Sequence, residues 1–215
     1  MRAGAGFSYP AFRDGLAAAR EQVSQDGDIP ELEPTMFRPV KGFTLIEAVV
    51  VMTVAAILLA IAIPAWSHAR AAANAGAVRA DLAASLLDAI RHSSIAGTEV
   101  VICPALSSGF CSGSTNWDSG WIVFADINGS RMPDANETRL AGSDALPGDV
   151  HLRTTTGRTR LIFQPNGGNA GSNVTFTLCD SRGPKSATTL VLSNTGNLRP
   201  GQPTDAAAWN CVYGH

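Results

Sequence analysis

Phe43-Thr44-Leu45-Ile46-Glu47-Ala48-Val49-Val50-Val51-Met52-Thr53-Val54-Ala55-Ala56-Ile57-Leu58-Leu59-Ala60-Ile61-Ala62-Ile63-Pro64-Ala65-Trp66 is an apolar run with a single acid near its start. From Ala48 to Ala65 eighteen consecutive residues carry no charge. Coiled into a helix at about 1.5 Å per residue, Phe43–Trp66 reaches roughly 36 Å, enough to cross ~30 Å of hydrocarbon. A buried core helix is the competing reading, and it fits poorly, because a soluble helix normally shows a polar face within a few turns. Arg38 and Lys41 stand just ahead of the run. The positive-inside bias therefore predicts a cytoplasmic N-terminus, with everything after Trp66 on the far side.

Beyond the run the pattern stays helical. Ala69–Ala96 is rich in alanine, and Ala73, Ala77, Leu82, Leu86 and Ile90 recur near helical spacing between Arg70, Arg79, Asp81, Asp88 and Arg91. One long helix is expected to end near Gly97, its second half lying against a globular head. From Glu99 the period changes to two. Candidate strands are Val100–Cys103, Trp121–Asp126, Val150–Thr154, Arg160–Gln164, Val174–Cys179 and Thr189–Ser193, separated by turns rich in Gly, Ser, Asn and Pro. A helix followed by a series of antiparallel strands makes an α+β head. Within the second strand, Trp121, Val123 and Asp126 are expected on one face and Ile122 and Phe124 on the other.

Charge and cysteines refine this picture. The formal net charge is only −2, yet residues 150–215 hold six Lys and Arg against two Asp and Glu, so the last third is locally basic. Cys103, Cys111, Cys179 and Cys211 all follow the apolar run. An even count in an exported domain points to two disulfides, and sequence proximity favours Cys103–Cys111 and Cys179–Cys211 among three possible connectivities. Metal binding competes weakly with this, since no CxxC spacing occurs and His68, His92, His151 and His215 lack ligand spacing from a cysteine.

The segment Lys41-Gly42-Phe43-Thr44-Leu45-Ile46-Glu47, opening directly into the apolar run, resembles the type III signal of type IV prepilins and pseudopilins. The resemblance implies cleavage after Gly42 by a membrane-embedded prepilin peptidase and N-methylation of Phe43 by the same enzyme. Gly42 has no Cβ, which lets an extended peptide approach a protease closely. No A-x-A-like site follows Pro64, so the helix is expected to stay attached. A carboxylate one turn inside a membrane helix costs on the order of 2.5–3.5 kcal/mol and is a functional residue by default. By resemblance Glu47 pairs with the N-terminal ammonium of a neighbouring subunit, whereas the plainer reading lets it snorkel to the headgroups. Pro64 removes a helix donor and opens a kink near the end of the membrane segment.

Residues 1–42 are read as a leader or extension removed by the peptidase. Met36 offers a start that would leave the short basic leader Met36-Phe37-Arg38-Pro39-Val40-Lys41-Gly42. The remaining divisions are a transmembrane helix over 43–66, the periplasmic half of the long helix over 67–97, and a β-rich head over 98–215.

The head narrows the resemblance. Trp117-Asp118-Ser119-Gly120-Trp121-Ile122-Val123-Phe124-Ala125-Asp126, Phe163-Gln164-Pro165-Asn166-Gly167, Thr175-Phe176-Thr177-Leu178-Cys179-Asp180 and Ser193-Asn194-Thr195-Gly196-Asn197-Leu198-Arg199 follow in the order seen in the GspH/FimT family. The likeness covers about residues 41–200. It implies a type IV pilin-like α+β fold, the long N-terminal helix packed on an antiparallel sheet. The function implied is that of a minor pilin priming type IV pilus assembly near the tip, in twitching or adhesion. A type II secretion pseudopilin is the alternative, and a DNA-binding receptor for natural transformation is a third. Implied partners are prepilin peptidase, other minor and major pilins or pseudopilins, inner-membrane lipid and, on the third reading, DNA. The implied location is the inner membrane, single-pass with a periplasmic head, and then the pilus or pseudopilus.

Two polar features remain. Asp126-Ile127-Asn128-Gly129-Ser130, followed by Asp134, Asn136 and Glu137, has oxygen ligands at spacings like a calcium loop. With Gly129 too early and the twelfth position read as not correctly supplied, a polar hairpin tip is expected and no metal site. Arg158, Arg160, Arg182, Lys185 and Arg199 form the basic third with Arg153. In FimT-like pilins DNA is bound by a Gly-Arg-x-Arg motif near the domain's end. Gly196-Asn197-Leu198-Arg199 keeps only its glycine and last arginine, and Gly157-Arg158-Thr159-Arg160 has the letters in an earlier strand region. Such arginines would grip phosphates without reading bases. Isolated histidines and carboxylates placed in turns suggest no catalytic constellation, so neither an enzyme nor a cofactor is expected. Gly201–His215 is read only as a loop closing on Cys179.

Overall fold

The computed structural model describes residues 42–214. All but Gly42 of the leader read over 1–42, the alternative start at Met36 and the last residue, His215, lie outside them.

Helix α1 runs from Leu45 to Ala96, 52 residues, and Pro64 lies inside it. Its two halves face different surroundings. An 18-residue window of its first part has a mean hydropathy of 2.7 and no residue buried within the protein. From Ala71 onward the helix buries Ala71, Ala75, Val78, Leu82, Ser85, Leu86, Ala89 and Ser93. Steps of three and four keep these on one face. The expected stripe was partly misplaced, for Ala73 and Ala77 are exposed. In an alanine-rich segment the small side chains do not reveal the face, and Leu82 and Leu86 set it. Gly97 ends the helix at φ +68, donating its N–H to Ser93 O at 3.0 Å. A left-handed residue just past the last turn is a common helix stop, and glycine adopts it without strain.

Among the described residues eight strands follow: β1 (Glu99–Pro104), β2 (Trp121–Asp126), β3 (Arg139–Ser143), β4 (Val150–Thr154), β5 (Leu161–Phe163), β6 (Val174–Asp180), β7 (Thr188–Leu192) and β8 (Leu198–Gly201). They form two four-stranded sheets, β3-β2-β1-β5 and β4-β6-β7-β8, in which neighbouring strands are antiparallel. A short 3-10 turn, Pro184–Ser186, precedes β7, and helix α2 (Asp205–Tyr213) follows β8.

The main core lies between α1 and the two sheets. Leu82 and Leu86 meet Ile102, Trp121, Leu152, Phe163 and Phe176 there, all nearly or fully buried. Trp117 joins the sheets: it meets Phe176 edge-on at 5.2 Å, lies 6.5 Å from Trp121, and donates its indole N–H to Thr154 Oγ1 at 3.3 Å. Each such buried aromatic or leucine contributes about 1.5–3 kcal/mol. The outer face of the first sheet buries Val101, Cys103, Ile122 and Phe124 with Cys111, and α2 covers the second sheet through Ala208 and Cys211. The sequence places Asp126 with Trp121. Alternation along its unbroken pairing with β1 puts it on the Ile122 and Phe124 side instead.

Three elements were not expected. β3 is a short edge strand containing Gly142, and β8 carries Pro200 and pairs only with β7. Tertiary pairing creates both, and a proline is tolerated on an edge. α2 replaces the loop expected after Gly201. Its start is capped by Thr204, whose hydroxyl accepts from Ala207 N at 3.3 Å.

Candidate functional site

The N-terminal part of the described chain has little to bury within the protein. Phe43 is 80% exposed, and Leu45, Ile46, Met52, Ile57, Leu58, Ile61, Ile63 and Trp66 are all open along α1. Glu47 sits in the first helical turn, where the positive end of the helix dipole favours an acid. Pro64 cannot donate to the preceding turn, and Ser67 Oγ returns a hydrogen bond to Pro64 O at 2.9 Å. This is a rod that needs a non-aqueous surrounding, with one carboxylate near its outer end.

The head presents a different surface. Cys103 is joined to Cys111 and Cys179 to Cys211, with Cα separations of 5.5 and 6.0 Å. The second bond fastens α2 to β6, and Cys179 and Cys211 are each 1% exposed. Beside α2, the outer face of the second sheet floors an open cleft of about 1050 Å³. Register explains its lining: Arg153, Thr177, Thr189 and Gly201 stand in one row across β4, β6, β7 and β8, while Thr175, Val191 and Arg199 stand in the next. Alternating threonines in β6 are the signal that sequence reading left unused.

Asp118 organises one edge of this cleft. Its Oδ1 accepts from Leu152 N at 2.9 Å and from Arg153 Nη1 at 2.5 Å, and its Oδ2 lies 2.9 Å from His151 Nδ1. Burial pushes its pKa up. The donors from Arg153, Leu152 and His151 outweigh that effect and hold the carboxyl below its ordinary value. Burial likewise acts on Asp180, and the side chain and N–H of Arg182 prevail, lowering its pKa.

The basic residues do not gather into one patch. Arg158 is spent on Ala170 O, Ser172 O and Ser172 Oγ. Arg160 donates to Arg131 O at 2.7 Å, and Arg182 makes a two-point pair with Asp180. Lys185 and Arg199 are exposed. They belong to opposite ends of the second sheet: Arg199 shares the row of Thr175 at the start of β6, while Lys185 lies past Asp180 at its end. At about 3.3 Å per residue that is a separation near 20 Å along the strand direction.

A family model described as the type II transport protein GspH matches residues 78–196. A model of the prokaryotic N-terminal methylation motif matches residues 37–63. Among solved structures, the chain is similar to the type IV minor pilin FimU of Pseudomonas aeruginosa strain PAO1. Identity is 16%, 65% of this chain and 92% of that one are covered, and the TM-score is 0.47. It is also similar to the minor pseudopilin EpsH from the Type 2 Secretion System of Vibrio cholerae, at 12% identity over 62% and 97% of the two chains, with a TM-score of 0.43. A comparison with curated proteins gives no match.

Proposed function

Since the chain belongs to the type II transport protein GspH family and carries a prokaryotic N-terminal methylation motif, we propose that it is a minor pilin that primes and joins type IV pilus assembly near the tip. The observation that carries this reading is the unburied apolar half of α1, most of which lies within residues 37–63, the stretch matched by that motif. Prepilin peptidase removes residues 1–42 and methylates Phe43. Residues 43–66 then hold the subunit in the inner membrane, single-pass, with the cytoplasmic side marked by Arg38 and Lys41 and residues 67–97 and the head over 98–215 in the periplasm. On entering the filament, Glu47 pairs with the N-terminal ammonium of a neighbouring subunit. Each charge neutralises the other in an apolar interior, where both would be costly alone, and this fixes the axial register. Bending at Pro64 lets the anchor follow the filament core. The work is structural, and the disulfide-pinned head meets other minor pilins.

A type II secretion pseudopilin is the second reading, favoured by the description of the matching family. Both readings share the signal, anchor and head, and they differ in the machine joined. An in-frame deletion tests them: lost twitching and piliation with intact exoprotein secretion supports the pilus, and the reverse result supports the pseudopilus. DNA capture draws on Lys185 and Arg199, the two most open cations of the basic third. It fails if the full chain in detergent has no low-salt affinity for duplex DNA.

A further inference from the structure

We propose that the β2–β3 hairpin, Asp126 to Glu137, is a calcium site. Gly129 comes early for such a loop, but the twelfth place, unlike the expectation from sequence, is filled. Counted from Asp126, the twelfth residue is Glu137. Oxygen-bearing side chains stand at the first, third, fifth, ninth and twelfth places, as Asp126, Asn128, Ser130, Asp134 and Glu137, with the Met132 carbonyl at the seventh. That is the order in which a twelve-residue loop wraps a calcium ion. The sixth place of such a loop requires a sharp turn and normally holds glycine. Here Arg131 fills it at φ +57, the single non-glycine residue with positive φ among the described residues.

An independent observation points to a cation. Asp126 is 4% exposed, and its carboxylate is turned into the hairpin, where Oδ2 accepts from Arg131 N at 3.0 Å. Its Oδ1 is buried and has no hydrogen-bond partner. A buried carboxylate oxygen without a donor leaves a desolvated acceptor unsatisfied, which a fold retains only at a cost. A hard divalent cation, taking oxygen ligands at about 2.3–2.6 Å, supplies what Oδ1 lacks.

The other ligands are held nearby by weak substitutes for an ion. Asp134 Oδ2 receives Asn128 Nδ2 at 2.6 Å and Ser130 Oγ at 3.2 Å. Glu137 receives the N–H groups of Ile127 and Asp134 at 3.1 and 3.2 Å. Among the described residues no three acidic, histidine or cysteine side chains already stand together at ligating distance. Binding therefore re-aims Asp134 and Glu137 from these donors to the ion and rotates the Asn128 amide to present its oxygen. Three carboxylates supply the attraction, while the neighbouring guanidinium of Arg160, bonded to Arg131 O, subtracts from it. The balance favours the weak class of extracellular calcium modules, with a Kd of about 10⁻⁴–10⁻³ M.

The test is a melting curve of the full chain in detergent micelles, stripped with a chelator and titrated with calcium or magnesium chloride at constant ionic strength. Asp126 is buried, so Asp134 and Glu137 carry the variants. The melting temperature should begin to rise once calcium passes about 10⁻⁴–10⁻³ M, and E137Q and D134N should each move that onset up by about tenfold or more. The proposal is overturned by a wild-type curve that calcium leaves unmoved to about 10 mM. It is equally overturned if magnesium reproduces the shift at equal concentration, or if both variants retain it in full.

Discussion

The indole N–H of Trp121 donates to Ser85 Oγ at 3.0 Å, joining β2 to the head-facing side of α1 across 36 residues of sequence. Trp121 is fully buried and Ser85 is 8% exposed, so water offers the indole no substitute. S85A therefore strands a buried donor and should destabilise the head by about 1–3 kcal/mol. Chemical denaturation of the full chain in detergent, followed by tryptophan fluorescence, measures it. An unchanged midpoint would mean that the bond adds nothing.

Acid should loosen the edge of the head that Asp118 holds. Its pKa is depressed in the folded state, so its contribution is complete above the ordinary carboxylate value and is lost as pH falls through the folded value. Asp180, depressed by Arg182, adds to the same trend. The melting temperature should therefore decline steadily below about pH 4. D118N should flatten part of that decline and cost about 1.5–3 kcal/mol at neutral pH, where the charge-assisted bonds are lost.

How much of this was legible beforehand depended on whether a residue's role is local. The anchor, the helix stop at Gly97 and strands such as Val150–Thr154 announce themselves through periodicity and turn chemistry, which act between neighbours in sequence. The face of α1 was not legible where alanine dominates, since Ala73 and Ala75 look alike until Leu82 and Leu86 meet the sheets. β8 was hidden because Leu198-Arg199-Pro200-Gly201 is a strand only by virtue of β7. α2 could have been read from Thr204 and Asp205, a capping residue and a first-turn acid before three alanines. The division of the basic third was invisible, because Asp180 and the Ser172 carbonyl consume charges that the sequence shows only as arginines.

Opening the bond between Cys179 and Cys211 should free α2 without unfolding the sheets beneath. The bond closes a span of 32 residues, and its removal should cost about 2–4 kcal/mol. The paired C179S/C211S variant should melt earlier and gain proteolytic cleavage confined to α2 and the segment after β8. Cleavage spread evenly through the head would show that the tether supports the whole fold.

Gly196 couples the β7–β8 turn to the loop after β5, and G196A should break that contact. Its φ is +82, and an added Cβ would fall 2.5 Å from Gly167 O, a backbone atom with little room to retreat. The left-handed conformation alone costs a non-glycine residue about 1–2 kcal/mol. The loss measured by denaturation should exceed that figure, because the neighbouring bond from Asn169 N to Asn194 O, 2.9 Å, shares the strain.

Replacing Glu47 with glutamine separates membrane residence from filament docking. The carboxylate lies in an apolar helix, where an ionised side chain opposes insertion by up to about 2.5–3.5 kcal/mol. E47Q keeps the size and removes the charge, so the anchor should enter the bilayer at least as well as the wild type. If Glu47 serves only by reaching the headgroups, incorporation into filaments should also be unchanged, since glutamine reaches equally far. If it neutralises the ammonium of a neighbour, that ammonium is left alone in an apolar surrounding, and leaving one partner of a buried pair unmatched costs about 3–5 kcal/mol. The expected result is therefore a normal membrane fraction and normal processing at Gly42, with the protein missing from sheared filaments. Mass spectrometry of the N-terminus verifies the processing, and immunoblots of membrane and sheared fractions compare the two pools. Equal incorporation of E47Q and wild type would remove the charge pair from the mechanism and leave the anchor as a purely hydrophobic tether.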